Sequence, residues 1–201
     1  VLENVGNGWT GNRWIYQFDE LDPRSPAPQT LAPQSAAPPS DTSTTTATTS
    51  PPRALTPASL VGTYEWRYPD VQANTETMFV FDGDLVVVTK TEPSRVYRFD
   101  GPLAESVVNV PSYVGTLPVG ERLSVAALSL DQRTLAVSSH GKLNVYENRG
   151  DRHNLKALIS NPVASQIMPP DNREGGSFFP YGSCDLLLVA ESKTVWRLEH
   201  R

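Results

Sequence analysis

The 201-residue sequence predicts an all-β fold made of repeated four-stranded units, and three observations predict it. The second half contains three stretches of similar pattern, spaced about fifty residues apart. Each stretch reads as three short strands separated by turns, with one further strand candidate between consecutive stretches. The 18 prolines leave little room for long helices, so the composition disfavours a helical bundle.

The repeat is visible at matching positions. The three stretches cover residues 76–101, 125–150 and 174–201. Val96, Val145 and Val195 recur at steps of about fifty residues, and each is followed by an aromatic residue. A period of roughly 40 to 50 residues with four strands per unit is typical of a β-propeller blade. A β-sandwich with accidental internal similarity is the structural alternative.

Individual strands follow from local chemistry. Asp84–Lys90 is dense in valine and leucine, as expected of a strand covered on both faces. Arg95–Phe99 alternates polar and apolar residues, as a half-buried strand does. Asp82-Gly83 and Tyr181-Gly182 supply turn residues between the first and second strands, because glycine adopts a positive φ at least cost.

Fourth strands are predicted between the stretches. They are Thr63–Tyr68, Ser106–Val114, and Asn154–Ile159 with its continuation. A partial copy also comes earlier, because Ile15–Asp19 repeats Val96–Asp100. We therefore expect the chain to start within a blade.

A low-complexity insert divides the chain. Residues 23–57 hold nine of the prolines and the run DTSTTTATTS, with few bulky apolar residues, so we expect this segment to be disordered. An O-glycosylated, mucin-like segment is the alternative. The predicted organisation is a partial blade at 1–22, the insert at 23–57, and the remaining blades at 58–201.

Without the insert, about 166 residues remain, roughly three and a third blades. A propeller normally closes with at least four blades. We therefore expect the chain to be a fragment of a larger propeller, with missing blades of the same protein, or another chain, covering its open edges.

Composition excludes several classes of partner. The net charge of −5 and the lack of a basic run argue against nucleic acid. The longest apolar runs, such as Leu186–Ala190, are too short to span a membrane, and the first residues do not read as a signal peptide. The single cysteine, Cys184, excludes an internal disulfide and a cysteine-based zinc site.

Several segments resemble a known family. NVGNGWTGNRWIYQFDE is similar to the DIGDNR…VYRFPEP segment of a group of secreted, mostly bacterial β-propellers of largely unassigned function. The stretch that ends in DLVVVTK resembles that family's YRYPDG…EALLVD…LYVVTK segment. The resemblance implies about six blades in total, some of them before Val1, and an extracellular location. Asn4 stands in place of the motif's first Asp, whereas Asn12 and Arg13 retain its final pair.

Candidate site residues lie where the innermost strands begin. Glu76 and Glu174 are two periods apart, and the middle copy has Val125 there. Two carboxylates at one channel mouth can hold Ca²⁺, act as an acid and base, or instead bind backbone amides or arginines. Asn74 and Asn12 are further candidate ligands, and Arg13 is a further candidate at the mouth.

No catalytic motif of a serine hydrolase, zinc protease, P-loop or EF-hand is present in the sequence. No catalytic residue is assigned, and no cofactor is expected except the candidate Ca²⁺. The sequence predicts a binding or scaffold module of a secreted protein, with the central-channel face as its binding surface. The alternatives are a metal-dependent esterase, lactonase or phosphatase of the propeller type, and a scaffold without a ligand.

Overall fold

The computed structural model describes residues 2–5, 12–18, 59–71, 73–178 and 185–199, with residues 2–5 and 76 described by their backbone alone. Within these ranges the chain forms fourteen strands and one helix, and the strands make four separate antiparallel sheets, numbered I to IV in chain order. The predictions for the insert at 23–57, the Tyr181-Gly182 turn and Cys184 lie outside the described residues.

Sheets I and II occupy the first half of the described chain. Sheet I consists of β1 (Leu2–Val5), β2 (Arg13–Phe18) and β3 (Leu60–Trp66). Sheet II consists of β4 (Thr75–Phe81), β5 (Asp84–Thr89), β6 (Ser94–Arg98) and β7 (Ser112–Leu117). Phe18 pairs with Leu60, so the long connection between β2 and β3 leaves and re-enters sheet I at adjacent positions.

Sheets III and IV follow the same order. Sheet III consists of β8 (Leu123–Leu128), β9 (Thr134–Ser139), β10 (Lys142–Glu147) and β11 (Pro162–Ile167). The helix α1 (Leu155–Ser160) lies in the connection between β10 and β11. Sheet IV consists of β12 (Arg173–Phe178), β13 (Leu186–Ala190) and β14 (Val195–Leu198). In every sheet the strands are adjacent in chain order.

The prediction of a fourth strand at Asn154–Ile159 with its continuation is right only for the continuation. Asn154 is the N-cap of α1 and residues 155–159 form most of that helix, whereas the fourth strand of sheet III begins at Pro162. Asn154 caps the helix by accepting a hydrogen bond from the Ala157 amide at 2.9 Å. Leu155, Leu158 and Ile159, at the i, i+3 and i+4 spacing of one helix face, are buried. In sheet II the fourth strand also lies later than predicted, because β7 starts at Ser112.

The predicted equivalence of Val96 and Val145 holds in the pairing with the fourth strand, where the register shifts directly after each of them, but it is offset by two residues in the pairing with the second strand. Val96 lies opposite Val88, whereas Leu143 lies opposite Ser138 in sheet III. Val88 and Ser138 are equivalent positions of the second strands. Each pairs with the first residue that follows the β-bulge in the first strand of its own sheet. The turn between β9 and β10 is two residues shorter than the turn between β5 and β6, so equal sequence spacing does not preserve the register.

The sheets pack face to face in succession. The first strands of sheets II and III, β4 and β8, contact each other, and so do β8 and β12. Apolar clusters fill the spaces between sheets I and II, between II and III, and between III and IV. Successive four-stranded antiparallel sheets packed in this way are the blades of a β-propeller, so the predicted fold, a partial β-propeller, is confirmed. No helix within the described ranges is long and apolar enough to cross a membrane.

Candidate binding face

The first strands of sheets II, III and IV each contain a β-bulge close to their beginning. The bulged residues are Glu76 in β4, Ser124 in β8 and Glu174 in β12. Glu76 and Glu174 are therefore equivalent, as predicted, but their counterpart in sheet III is Ser124 and not Val125. Sequence spacing missed this by one residue because it does not show where the extra residue of a bulge is inserted.

The bulges share one edge of the sheets with the turns that join the second and third strands. We call this edge the mouth face; it comprises residues 73–76, 90–93, 121–124, 139–142 and 173–174. A cavity of about 360 Å³ opens on the mouth face between sheets II and III. It is lined by Ala73, Asn74, Lys90, Thr91, Glu92 and Arg122. Among the described residues of the lining, Arg122 carries an exposed guanidinium.

The sequence candidates Asn74 and Glu174 lie on the mouth face. Asn74 lines the cavity, and its main-chain carbonyl accepts a hydrogen bond from the Lys90 amide at 2.9 Å. The Glu174 side chain is exposed. The side chain of Glu76 lies outside the described part of the structure, which places only its backbone in the bulge. Among the side chains that are described, no three His, Cys, Asp or Glu residues are grouped as metal ligands, and the Ca²⁺ hypothesis stays a prediction.

Arg13 joins sheet I to the segment before β4, whereas Asn12 binds within sheet I. Arg13 is 4% exposed, and its guanidinium donates a hydrogen bond to the carbonyl of Ala73. Its guanidinium carbon lies 4.8 Å from the centre of the Tyr68 ring and 5.4 Å from that of Trp66. Burial lowers the pKa of Arg13. The Asn12 amide binds the Glu65 carboxylate. Arg13 thus holds the segment that leads into the cavity.

Sequence reasoning missed Arg173, which has a comparable role between sheets III and IV. Arg173 is fully buried and donates hydrogen bonds to the carbonyls of Ser139 at 2.9 Å, His140 at 3.1 Å and Pro169 at 2.7 Å. Burial lowers the pKa of its guanidinium. The available signal was its position directly before Glu174, which the repeat places at the beginning of an inner strand.

Glu121 fixes the neighbouring turn. Its carboxylate accepts hydrogen bonds from the Ser139 hydroxyl at 2.6 Å and the Gly141 amide at 3.3 Å. These hydrogen bonds, the one from Ser139 foremost, lower the pKa of Glu121. The adjacent Arg122 is exposed and lines the cavity. Glu121 therefore anchors the segment that presents Arg122.

Comparison with known proteins gives a structural likeness but no match in sequence. No protein-family model and no curated protein sequence matches the chain. In structure it is similar to the β-propeller domain of Myceliophteria thermophila Cps50 (Swd1), with a TM-score of 0.43 and 16% sequence identity. The likeness covers 63% of this chain and 38% of that one, so the chain spans well under half the length of the solved structure. The resemblance to secreted bacterial propellers stays a prediction.

Proposed function

We propose that this chain is a binding module of a secreted β-propeller protein, and that its mouth face binds an acidic segment of a partner protein. The observation that carries the proposal is the cavity between sheets II and III, which the exposed Arg122 lines from the side of sheet III. A guanidinium group forms charge-assisted hydrogen bonds with carboxylates. Asn74 and Thr91 line the same cavity and add uncharged hydrogen-bonding groups. The assignment to a secreted protein follows from the family resemblance.

The cavity wall is held in place by its own hydrogen bonds. The Thr89 hydroxyl is buried, shares a hydrogen bond of 2.6 Å with the Thr91 hydroxyl, and accepts one of 2.8 Å from the Arg95 amide. The Thr91 carbonyl accepts a further bond of 3.0 Å from the Ser94 hydroxyl. A wall fixed before binding lowers the entropy lost on association. The fixed wall therefore favours binding of a ligand to a preformed surface.

The test is an NMR titration of the ¹⁵N-labelled chain with an acetylated, amidated tetraglutamate peptide, with tetralysine as the control peptide. We expect saturable shifts at residues 73–74, 90–92 and 122 with tetraglutamate alone, and weaker binding in about 150 mM than in about 20 mM salt. Arg122→Gln is expected to lower the affinity at least about fivefold, close to 1 kcal/mol. Arg152→Gln, at an exposed position away from the mouth face, serves as the matched charge control.

The controls decide between specific binding and general charge attraction. Equal losses in Arg122→Gln and Arg152→Gln would contradict the proposal, because a loss of charge anywhere would then have the same effect. Shifts spread over the surface, or confined to the opposite edge of the sheets, would contradict it as well.

A Ca²⁺-dependent hydrolase is a second candidate function, favoured by the equivalent bulges at Glu76 and Glu174. Ca²⁺ at about a hundred times its dissociation constant would stabilise the folded state by about 2.7 kcal/mol. If the site exists, CaCl₂ raises the melting temperature of the chain, and Glu174→Gln removes that increase. Glu199→Gln, at an exposed position directly after β14 and outside the mouth face, is the control. A melting temperature that does not change with CaCl₂ overturns this candidate.

A further inference from the structure

The connection between β10 and α1 carries an Arg-Gly-Asp tripeptide on the surface of the molecule. The tripeptide, Arg149-Gly150-Asp151, follows the end of β10 at Glu147. Because β10 starts at the mouth-face turn 139–142, its end lies at the opposite edge of sheet III. All residues from 149 to 154 are exposed. The tripeptide is therefore accessible to a macromolecule that does not contact the mouth face.

The buried side chain of Asn148 fixes the main chain of this loop. Asn148 is 4% exposed. Its side-chain carbonyl accepts a hydrogen bond from the Gly150 amide at 3.1 Å, and its side-chain amide donates to the carbonyls of Asp151 and Asn154. The Asn154 amide also donates to the Asp151 carbonyl at 3.0 Å. The exposed side chains of the tripeptide thus belong to a fixed loop, which loses less entropy on binding than a flexible peptide does.

The Asp151 carboxylate has an oxygen available for a metal ion. Its Oδ1 atom accepts a hydrogen bond from the His153 amide at 3.0 Å. Among the described residues, no donor binds the Oδ2 atom. Hard divalent cations such as Mg²⁺ bind carboxylate oxygens, and one oxygen suffices where a second protein supplies the other ligands. The aspartate can therefore complete a coordination sphere that a partner provides.

In the described part of the chain, the Arg149 guanidinium is held by a single exposed ion pair. Its Nε atom donates a hydrogen bond to the Glu147 carboxylate at 2.8 Å, and the arginine side chain is 79% exposed. Exposed pairs of this kind stabilise a protein by roughly 0–1 kcal/mol. A guanidinium carries several N–H donors, and most of them remain for a partner. A carboxylate of a partner can therefore bind Arg149 at little cost to the stability of this chain.

We propose that the Arg149-Gly150-Asp151 loop binds a cell-surface adhesion receptor that holds a divalent cation beside an acidic pocket. The Asp151 carboxylate coordinates the receptor's cation, and the Arg149 guanidinium pairs with carboxylates of the pocket. Gly150 has no side chain, so the receptor can approach the main chain between the two charges. Opposite charges two residues apart favour this partner, because a purely acidic or purely basic surface repels one of them. The proposal shares with the proposed function only the extracellular location that the family resemblance implies.

The test is surface plasmon resonance of the full chain over an immobilised integrin ectodomain that recognises Arg-Gly-Asp peptides and binds Mn²⁺. We expect saturable binding in MnCl₂ that EDTA abolishes and that a cyclic Arg-Gly-Asp peptide displaces. Asp151→Glu keeps the charge but moves the carboxylate by one methylene, and it should weaken binding at least about tenfold, close to 1.4 kcal/mol. A linear peptide of residues 147–153 should also bind at least about tenfold more weakly than the chain, because its main chain is not fixed before binding.

Two arginine variants separate the tripeptide from its surroundings. Arg149→Gln is expected to weaken binding at least about fivefold. Arg152→Gln, at an exposed position outside the tripeptide, removes the same charge and should change binding less than about twofold. Thermal melts check that the variants are equally folded.

Four results would overturn the proposal. They are an absence of saturable binding in MnCl₂, binding that persists in EDTA, unchanged binding by Asp151→Glu, and equal losses in Arg149→Gln and Arg152→Gln. The last result would show that the receptor responds to the charge of this edge and not to the tripeptide. Equal affinities of the chain and the linear peptide would overturn the role of the fixed loop.

Discussion

The hydroxyl of Thr77 in sheet II satisfies both main-chain polar groups of Ala126 in sheet III. It donates a hydrogen bond to the Ala126 carbonyl at 3.2 Å and accepts one from the Ala126 amide at 3.0 Å. Ala126 lies in β8, which is the innermost strand of sheet III and pairs on that side with none of the described strands. The Thr77 side chain therefore takes the place of a strand neighbour, and it fixes how two blades are aligned along the inner strands.

Replacing this hydroxyl by a methyl group tests its contribution. In Thr77→Val the shape is kept, but the amide and carbonyl of Ala126, a residue only 6% exposed, lose their partner. Unsatisfied buried polar groups cost about 1–3 kcal/mol, and we expect a loss of that size in the free energy of unfolding. Urea denaturation followed by circular dichroism measures it. Thr77→Ser keeps the hydroxyl and should lose less than half as much; equal losses would contradict the argument.

Sheets III and IV approach each other closely, and this predicts that alanine substitutions at two adjacent glycines cost different amounts of stability. A Cβ atom at Gly176 would lie 2.8 Å from side-chain atoms of both Leu188 and Val125, whereas one at Gly175 would meet nothing within 4 Å. Leu188 and Val125 are buried and have little room to move. Gly176→Ala should therefore destabilise the chain by about 1–3 kcal/mol. Gly175→Ala, measured in the same denaturation assay, should change stability far less, and similar losses would contradict the packing.

Strands were predictable from the sequence wherever local chemistry decides the structure. The strands β5 and β6 lie where the sequence pattern placed them, and β5 is buried on both faces as predicted. The prediction that β6 is half-buried is wrong, because Val96 packs between sheets II and III while Tyr97 packs between sheets I and II. The same reasoning predicts a strand at Asn154–Ile159, where the structure has a helix. Its leucines fit a strand or a helix equally well, and the deciding factors were the Asn154 cap and the space between two sheets, which exists only in the folded chain.

The candidate site was predictable only in part. The equivalence of Glu76 and Glu174 follows from the period, since both blades place their bulge at the same step. The role of Arg122, by contrast, could not be predicted, because Arg122 and Lys90 line one cavity only once sheets II and III have packed together. Residues that meet across a blade interface are far apart in sequence, and no local pattern relates them.

The buried hydroxyl of Tyr146 predicts a pH-dependent stability. Burial raises the pKa of Tyr146 from 10.0 to about 12. Between these pH values the folded chain keeps a proton that the unfolded chain has released, so the free energy of unfolding falls as the pH rises from 10 to 12. Tyr146→Phe should make this decrease smaller. Denaturation at a series of pH values measures the slope, and an unchanged slope would contradict the assignment.

The variants Tyr146→Phe and Tyr68→Phe should differ in stability at neutral pH. In the part of the chain that the structure describes, the Tyr146 hydroxyl is buried without a hydrogen-bond partner, so Tyr146→Phe should be as stable as the parent chain or slightly more stable. The Tyr68 hydroxyl shares a hydrogen bond of 2.7 Å with Thr75, and burial raises the pKa of Tyr68 to about 12 as well. Tyr68→Phe should therefore lower the free energy of unfolding by about 1 kcal/mol at pH 7. It should also make the fall in that free energy between pH 10 and pH 12 smaller.

The pairing of Phe18 with Leu60 predicts that the connection between them can be shortened without loss of the fold. Residues 20–58 would be replaced by a five-residue glycine-containing linker, which suffices to join two adjacent antiparallel strands. Each halving of a loop lowers its closure cost by about 0.6 kcal/mol, so about three halvings should stabilise the chain by up to about 2 kcal/mol. Calorimetry of the shortened and parent chains measures the difference. A large loss of stability would instead show that the segment packs on the blades, contrary to the disorder that its composition predicts.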